Sequence, residues 1–275
     1  MDDPTQTNRL AWDECAALHA RGCEYYPVEA FKAGREGLRP NTPDDLRDVR
    51  GQRLLHLQCH FGMDSLMWVR QGAVVTGVDF SPVAIAEARQ LTAATGLDAT
   101  FVEADVCRLP DELSGRFDIV LAYCGVICWL ADLAGWARGI ARCLRPGGFF
   151  YLADGHPMSL AMEVQPGEST PRLHYSYFND GQPIRSDDPG TYALPQAKTE
   201  HNVTYQWQHS LADVVGALVA AGLRLEFLHE FPFALYEAYV QPGRPLMRRD
   251  EHGWWHLVEG DGLVPLSFSL KAVKL

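Results

Sequence analysis

From Arg53 to Asp154, short apolar runs alternate with amphipathic stretches long enough for two to four helical turns. This alternation constrains the fold more than any other feature of the chain. A strand that is followed by a helix and then another strand returns in the same direction, by a right-handed crossover. Repeated units of that kind make a parallel sheet with helices on its faces. The strands read as Leu54–Leu57, Ala73–Val78, Ala99–Val102, Asp118–Ala122 and Phe149–Ala153, with helices over Asp64–Gln71, Pro82–Thr95 and Asp132–Leu144. Ser81 supplies a capping acceptor to the second helix, and Pro82 a preset φ at its first position. Arg145-Pro146-Gly147-Gly148 reads as the turn that ends the third.

After Gly155 the texture changes. Pro, Gly, Asp, Tyr and His dominate as far as Gln208, with no helical period. Asn179-Asp180-Gly181 and Asp187-Asp188-Pro189-Gly190 are turn signals. Tyr175-Ser176-Tyr177 and Val203–Trp207 alternate like strands. Beyond this β-rich insertion, Leu211–Ala221 reads as a helix capped by Ser210. Arg224–Glu230 and Leu266–Val273 read as an antiparallel closing pair. The expected organisation is a single domain over 1–275. It comprises an N-terminal helical cover (1–45), a core (46–155), a lid (156–208) and a closing helix with strands (209–275).

The 275 residues carry a formal net charge of −11. Nucleic-acid affinity rests on basic patches, so a phosphate backbone is excluded as the main partner. No apolar run reaches the roughly 18 residues of a membrane span, and Met1–Leu10 shows no signal-peptide pattern. The expectation is a cytoplasmic monomer or homodimer with a small-molecule partner, and with no nucleic-acid or membrane partner. The seven cysteines contain no CxxC pair, so they read as reduced thiols and no metal site is expected.

The first strand runs into Gln58-Cys59-His60-Phe61-Gly62-Met63-Asp64 and then a helix. Such a junction presents backbone N–H groups and a positive helix end. In doubly wound sheets this crevice takes nucleotide-like ligands. Asp79 ends the second strand, 21 positions after Gln58 and 17 after Gly62, a spacing at which a carboxylate grips ribose hydroxyls. Glu103-Ala104-Asp105-Val106 follows the third strand, where a carboxylate can accept from an adenine amino group.

Taken in order, five segments resemble the class I S-adenosylmethionine-dependent methyltransferases over about Leu54–Asp154. They are Leu55-His56-Leu57-Gln58-Cys59-His60-Phe61-Gly62, Gly77-Val78-Asp79-Phe80-Ser81, Glu103-Ala104-Asp105-Val106, Phe117-Asp118-Ile119-Val120 and Leu144-Arg145-Pro146-Gly147-Gly148. The resemblance implies an α/β fold with a doubly wound, seven-stranded, mostly parallel sheet, here with a β-rich insertion after the fifth strand. It also implies S-adenosylmethionine as cofactor. By it, Asp79 holds the ribose, Asp105 accepts from the adenine, and Val106 and Phe80 pack on the ring. Tyr123 sits where the methionine part meets the acceptor. The family's first loop is usually Asp-x-Gly-x-Gly-x-Gly. Here His56 stands for the acid, Gln58 and His60 for two glycines, and only Gly62 remains. Gln58, His60 and Gly62 are the loop's candidate cofactor contacts.

His156, after the fifth strand, and His201, in the insertion, are candidate proton acceptors. Tyr25 joins them as a residue able to close over the sulfonium. His56, inside a strand, reads as a core group. Tyr26, Trp129, Tyr177 and Trp207 are the candidate aromatic lining for an acceptor. The expected reaction moves a methyl group to oxygen or nitrogen of a small metabolite by in-line displacement, which needs alignment and no protein nucleophile. The alternatives are carbon methylation of an indole-like aromatic and a protein that binds the cofactor without transferring methyl. A nicotinamide-dependent oxidoreductase would need the GxGxxG fingerprint that the chain lacks.

Overall fold

The computed structural model describes residues 3–35, 46, 48–165, 167–241 and 243–275. Part of the expected N-terminal cover, residues 1, 2 and 36–45, lies outside the described residues. What is described begins with α1 (Pro4–His19) and α2 (Val28–Lys32). Asp3 caps α1 by accepting the Thr5 N–H at 3.0 Å.

The core follows as β1 (Arg53–Leu57), α3 (Met63–Arg70), β2 (Val74–Asp79), α4 (Pro82–Thr95), β3 (Ala99–Glu103), β4 (Phe117–Tyr123), α5 (Leu133–Cys143) and β5 (Leu144–Gly155). The insertion holds α6 (Pro157–Leu160) and the short strands β6 (Met162–Glu163), β7 (Arg172–Leu173), β8 (Ile184–Asp187) and β9 (Val203–Gln206). The chain closes with α7 (Leu211–Ala220), β10 (Leu223–Phe231), β11 (Met247–Arg249), β12 (Trp255–Leu257) and β13 (Ser267–Lys274).

The main sheet has seven strands in the order β10-β13-β5-β4-β1-β2-β3. Only β13 runs against the rest, pairing antiparallel with both β5 and β10. β1 lies parallel between β2 and β4. The chain winds outward in both directions from β1, so a crevice opens above its carboxyl end. Alternation along the strands feeds two cores. Leu55, Leu57, Val120, Phe150 and Leu152 face α5 and α7, where the Trp136 ring meets Phe150 edge-on at 5.2 Å. Leu54, Ile119, Leu121 and Tyr151 face Trp68 of α3. Both faces are covered, and β4 accordingly reads as an unbroken apolar run after its aspartate.

Three local features differ from the sequence reading. The Arg145–Gly148 stretch belongs to β5 as an irregular start: Phe117 pairs with Leu144, but Ile119 already pairs with Phe149. The intervening residues bulge out opposite Asp118, where Arg145 ion-pairs with it. Tyr175-Ser176-Tyr177 is not a strand. The His174 and Tyr175 N–H groups both donate to the Ala161 carbonyl, at 2.9 and 3.0 Å, which turns the chain and leaves Arg172–Leu173 as the paired segment. The β11–β12 hairpin between the closing strands carried no signal that the sequence reading used. Among the described residues no helix is long and apolar enough to cross a membrane.

Candidate functional site

The loop after β1 takes an unusual backbone. Gln58, His60 and Gly62 all have positive φ, at 51°, 52° and 76°. Two of the three are not glycine, and a left-handed residue with a Cβ costs about 1–2 kcal/mol. The loop is held by neighbouring strands: the Cys59 N–H donates to the Val78 carbonyl at 3.0 Å. The His60 N–H donates to Oδ2 of Asp79 at 2.8 Å, and the Ser81 N–H donates to Oδ1 at 3.0 Å. Burial pushes the Asp79 carboxyl up to about 6, against the pull of those backbone N–H groups.

Above this loop lies a cavity of about 250 Å³. Its floor is Gln58, Cys59, His60, Asp79 and Phe80 from the ends of β1 and β2, with Tyr123 and the turn after β4 alongside. That turn is fixed by the buried Asp154, whose carboxylate accepts the N–H groups of Gly125, Val126 and Ile127 at 2.5 to 3.0 Å. Gln58 spans the floor. Its Nε2 donates to the Val126 carbonyl at 2.9 Å, while its Oε1 is buried with no hydrogen-bond partner among the described residues. An acceptor left this way costs about 1–3 kcal/mol unless a ligand supplies the donor.

The roof is aromatic and comes from distant parts of the chain. Trp12 of α1 meets Trp129 edge-on at 5.2 Å and His60 at 5.5 Å. Tyr25 packs on Tyr26 at 4.9 Å and on Tyr192 at 5.4 Å, and the Tyr26 and Tyr192 hydroxyls share a hydrogen bond. His19 at the end of α1 ties loop to lid, with Nδ1 2.9 Å from His60 Nε2 and Nε2 2.8 Å from Thr191 Oγ1. Burial lowers His19 to about 4 and holds His60 well below the usual histidine range, so the pair is neutral near pH 7. α1 is itself fastened to β9, because Asn8 exchanges hydrogen bonds with the Tyr205 backbone at 2.7 Å in each direction.

The candidate residues divide between this cavity and other places. Gln58, His60, Asp79, Phe80, Tyr123, Tyr25, Tyr26 and Trp129 line it. Gly62 does not. It starts α3, and a Cβ there would stand 2.6 Å from the Phe101 ring, so close packing demands the glycine. Asp105 caps the single turn Val106–Arg108 by accepting the Cys107 N–H at 2.9 Å, and Val106 is buried in the core beneath α5.

The two histidines proposed as proton acceptors lie elsewhere. His156 is buried and committed. Its Nδ1 accepts the Met158 N–H at 2.9 Å at the start of α6, and its Nε2 lies 2.9 Å from Glu230. His201 is exposed, its N–H bound to Glu14 at 2.9 Å beside α1. Tyr177 accepts the Leu211 N–H at 3.3 Å under α7. Trp207 is buried off the cavity, its backbone N–H donating to the Cys128 carbonyl at 2.7 Å.

The sequence reading assigned no site role to Gln206, Leu160 or Tyr236, all of which line the cavity. Neither did it assign one to His19, the link between loop and lid. His56 is the core group expected, buried with Nδ1 2.8 Å from Ser65 Oγ, and its ring stacks on Tyr123 at 5.4 Å while also bordering the cavity. A period-2 reading of 203–207 holds a usable signal, since it puts neighbouring Gln206 and Trp207 on opposite faces.

A family model described as a methyltransferase domain matches residues 55–150, the span from β1 into β5 that builds the cavity floor. Over residues 55–150 the chain is similar to the methyltransferase domain family. The ubiquinone biosynthesis O-methyltransferase of Pseudomonas aeruginosa is 30% identical over 118 residues, which is 42% of this chain and 50% of that protein. The chain spans about half the length of the curated relatives it matches. In fold, the chain is similar to an S-adenosylmethionine-dependent methyltransferase of Mesorhizobium loti. The TM-score is 0.57 at 21% identity, covering 93% of this chain and 100% of that one. A second neighbour, from Methanosarcina mazei, gives a TM-score of 0.54 at 15% identity, covering 85% and 98%.

Proposed function

We propose that the chain transfers a methyl group from S-adenosylmethionine to an oxygen or nitrogen atom of a small molecule. One observation carries this reading. The floor of the cavity above β1 pairs the buried carboxylate of Asp79 with the partnerless buried Oε1 of Gln58. Those two acceptors fit a ligand that brings donors, as the ribose hydroxyls and the amino group of the cofactor do. Asp79 and Gln58 would hold it, with Phe80 packed beside it. When bound, the cofactor supplies a methyl group on a cationic sulfur, which in-line displacement passes to a nucleophile.

The chain's own part is alignment and exclusion of water. The rings of α1, Tyr25–Tyr26, Trp129 and the lid cover the cavity. The Asp154 clasp fixes the turn after β4 that forms one wall. No side chain has to act as a nucleophile. Oxygen is favoured as acceptor by the likeness to an O-methyltransferase. The aromatic rings of the cover, Trp12, Tyr25, Tyr26, Trp129 and Tyr192, favour carbon of an aromatic ring as a second reading.

Calorimetry with S-adenosylhomocysteine tests the assignment. The wild-type chain should bind it, and Asp79→Ala should bind at least about 100-fold more weakly, having lost two charge-assisted hydrogen bonds. An Asp79→Ala variant with wild-type affinity would overturn it. Transfer of labelled methyl to a small-molecule extract then tests turnover.

A further inference from the structure

We infer that Tyr236 and Gln206 form the subsite that holds the methyl acceptor, through hydrogen bonds to an oxygen-bearing group of that molecule; this rests on the methyl-transfer reading above. The cavity has two distinct ends. Asp79 and Phe80 stand at the end of β2. Tyr236 stands at the end of β5, its hydroxyl 3.5 Å from where a Cβ at Gly155 would be. In the sheet β5, β4, β1 and β2 are successive neighbours, so the two ends lie three strand spacings apart, about 14 Å. The cofactor contacts Asp79 and Gln58 belong to β2 and the loop after β1. The β5 end is left for a second molecule.

The polar groups at that end are free to receive it. Among the described residues, neither the Tyr236 hydroxyl nor the Gln206 side-chain amide makes a hydrogen bond, and both residues line the cavity. Asp154 lies close to the phenol, but its oxygens are committed to the N–H groups of Gly125, Val126, Ile127 and Gly155. Burial, and then the nearby Asp154 carboxylate, push the Tyr236 phenol well above its ordinary range. Tyr236 therefore keeps its proton. It can donate to an acceptor oxygen and does not serve as a base.

The subsite is also held in place before any guest arrives. Ala234 exchanges hydrogen bonds with Trp255 of β12, at 2.7 and 3.1 Å. The Tyr239 hydroxyl donates to the Ser159 carbonyl of α6 at 2.8 Å. Tyr236 sits between these two anchors, which gives the β11–β12 hairpin a use. Gln206 is fixed by its pairing with Ile184 and by the neighbouring Trp207 N–H on the Cys128 carbonyl. Groups ordered in advance lose little freedom on binding. A guest entering here displaces water from both, and one that returns no hydrogen bond leaves them unsatisfied. A hydroxyl or carbonyl oxygen answers both groups. Two contacts fix orientation as well as position, which in-line displacement requires.

The test measures binding of catechol and of o-xylene, which has the same shape without the hydroxyls, by ligand-observed NMR with and without saturating S-adenosylhomocysteine. Tyr236→Phe and Gln206→Met should each weaken catechol about five- to tenfold, the share of one neutral hydrogen bond. Both should leave o-xylene and S-adenosylhomocysteine within about twofold of wild type. Catechol affinity unchanged in either variant, an equal loss of o-xylene, or no binding of catechol to the wild-type chain overturns the inference. A tenfold loss of S-adenosylhomocysteine in Tyr236→Phe also overturns it, because the ring would then belong to the cofactor end. The two readings fail separately. If the wild-type chain binds no S-adenosylhomocysteine but the catechol losses persist, the subsite stands and the cofactor reading falls. If S-adenosylhomocysteine binds and only the catechol losses are missing, the subsite alone falls.

Discussion

Replacing Gln58 with glycine should make the chain more stable and a poorer binder of the cofactor product. Gln58 holds φ at 51°, and glycine relieves about 1–2 kcal/mol of left-handed strain there. The substitution also removes the buried Oε1 that has no partner, returning about 1–3 kcal/mol. Against this, the Nε2 bond to the Val126 carbonyl is lost, at about 1 kcal/mol. That carbonyl keeps the Trp129 N–H at 3.3 Å. Glycine's extra freedom in the unfolded chain costs a further 0.5–1 kcal/mol, roughly. The balance is about 1–2 kcal/mol of added stability, a rise in Tm of about 3–6 °C for a chain this size. In the complex, Gln58 Oε1 would accept from the cofactor's ammonium group. A charge-assisted bond of this kind is worth about 1.5–3 kcal/mol, so Kd for S-adenosylhomocysteine should rise about 10- to 150-fold. Differential scanning calorimetry and titration calorimetry read the two effects separately. Gln58→Ala is the control: it loses the same acceptor but keeps the strained φ, so affinity should fall without the full gain in Tm. A lower Tm for Gln58→Gly, or a Kd within threefold of wild type, would refute the reasoning.

Other substitutions probe the remaining assignments. The folded carboxyl of Asp79 titrates near about 6 while the unfolded one titrates at about 3.9. The folded state therefore holds more protons between those values, and Asp79's contribution to stability falls as pH rises through that window. Donors from the cofactor favour the ionised form, so affinity for S-adenosylhomocysteine should increase from pH 5 to pH 7 and this increase should largely vanish in Asp79→Asn; a flat wild-type profile by calorimetry contradicts the role. His156→Ala should lower Tm by about 4–8 °C, through loss of the α6 cap and the Glu230 contact worth together about 2 kcal/mol, with methyl transfer per folded molecule unchanged. His201→Ala should change neither quantity, and a large loss of turnover would return it to the site. Gly62→Ala should cost about 2–5 kcal/mol in urea unfolding, from its φ of 76° and the clash with Phe101. Gly96→Ala, at φ 65° in open space, should cost only about 1–2 kcal/mol; equal losses would remove the packing argument at Gly62.

The parts of the fold that were legible are those where a local pattern and the global arrangement agree. The strands β1 to β5 carry buried runs between capped or glycine-ended helices, and a parallel sheet is what such units can build. The insertion is less readable because its ladders are only two to four residues long. One distant carbonyl, that of Ala161, decides whether Arg172 or Tyr175 joins a ladder. The same division holds at the cavity. Gln58, His60, Asp79, Phe80 and Tyr123 follow strand ends, and the sheet carries every such end to one edge, so chain order alone brings them together. Tyr236 arrives from beyond β10 through contacts no local pattern encodes. The step from Asp154 to His156 shows the limit of reasoning by residue type. The histidine invites a catalytic role, but it caps a helix, while the aspartate two positions earlier shapes the wall.

The loop after β1 also explains how two bulky residues can stand where glycines are usual. A glycine loop reaches left-handed φ at no steric cost and leaves the ligand room. Gln58 and His60 reach it at a cost of about 1–2 kcal/mol each, and the contacts that a glycine could not make recover part of it. Gln58 ties β1 to the turn after β4 through Val126, and His60 ties the same loop to α1 and the lid through His19 and Thr191. Neutral histidines suit this arrangement, because each ring can donate from one nitrogen and accept at the other, whereas a protonated pair 2.9 Å apart would repel. The loop thus keeps part of its strain at Gln58, while His60 joins it to the cover above the cavity. Of the two side chains that narrow the loop, Gln58 braces the wall at Val126 and His60 fastens the roof through His19.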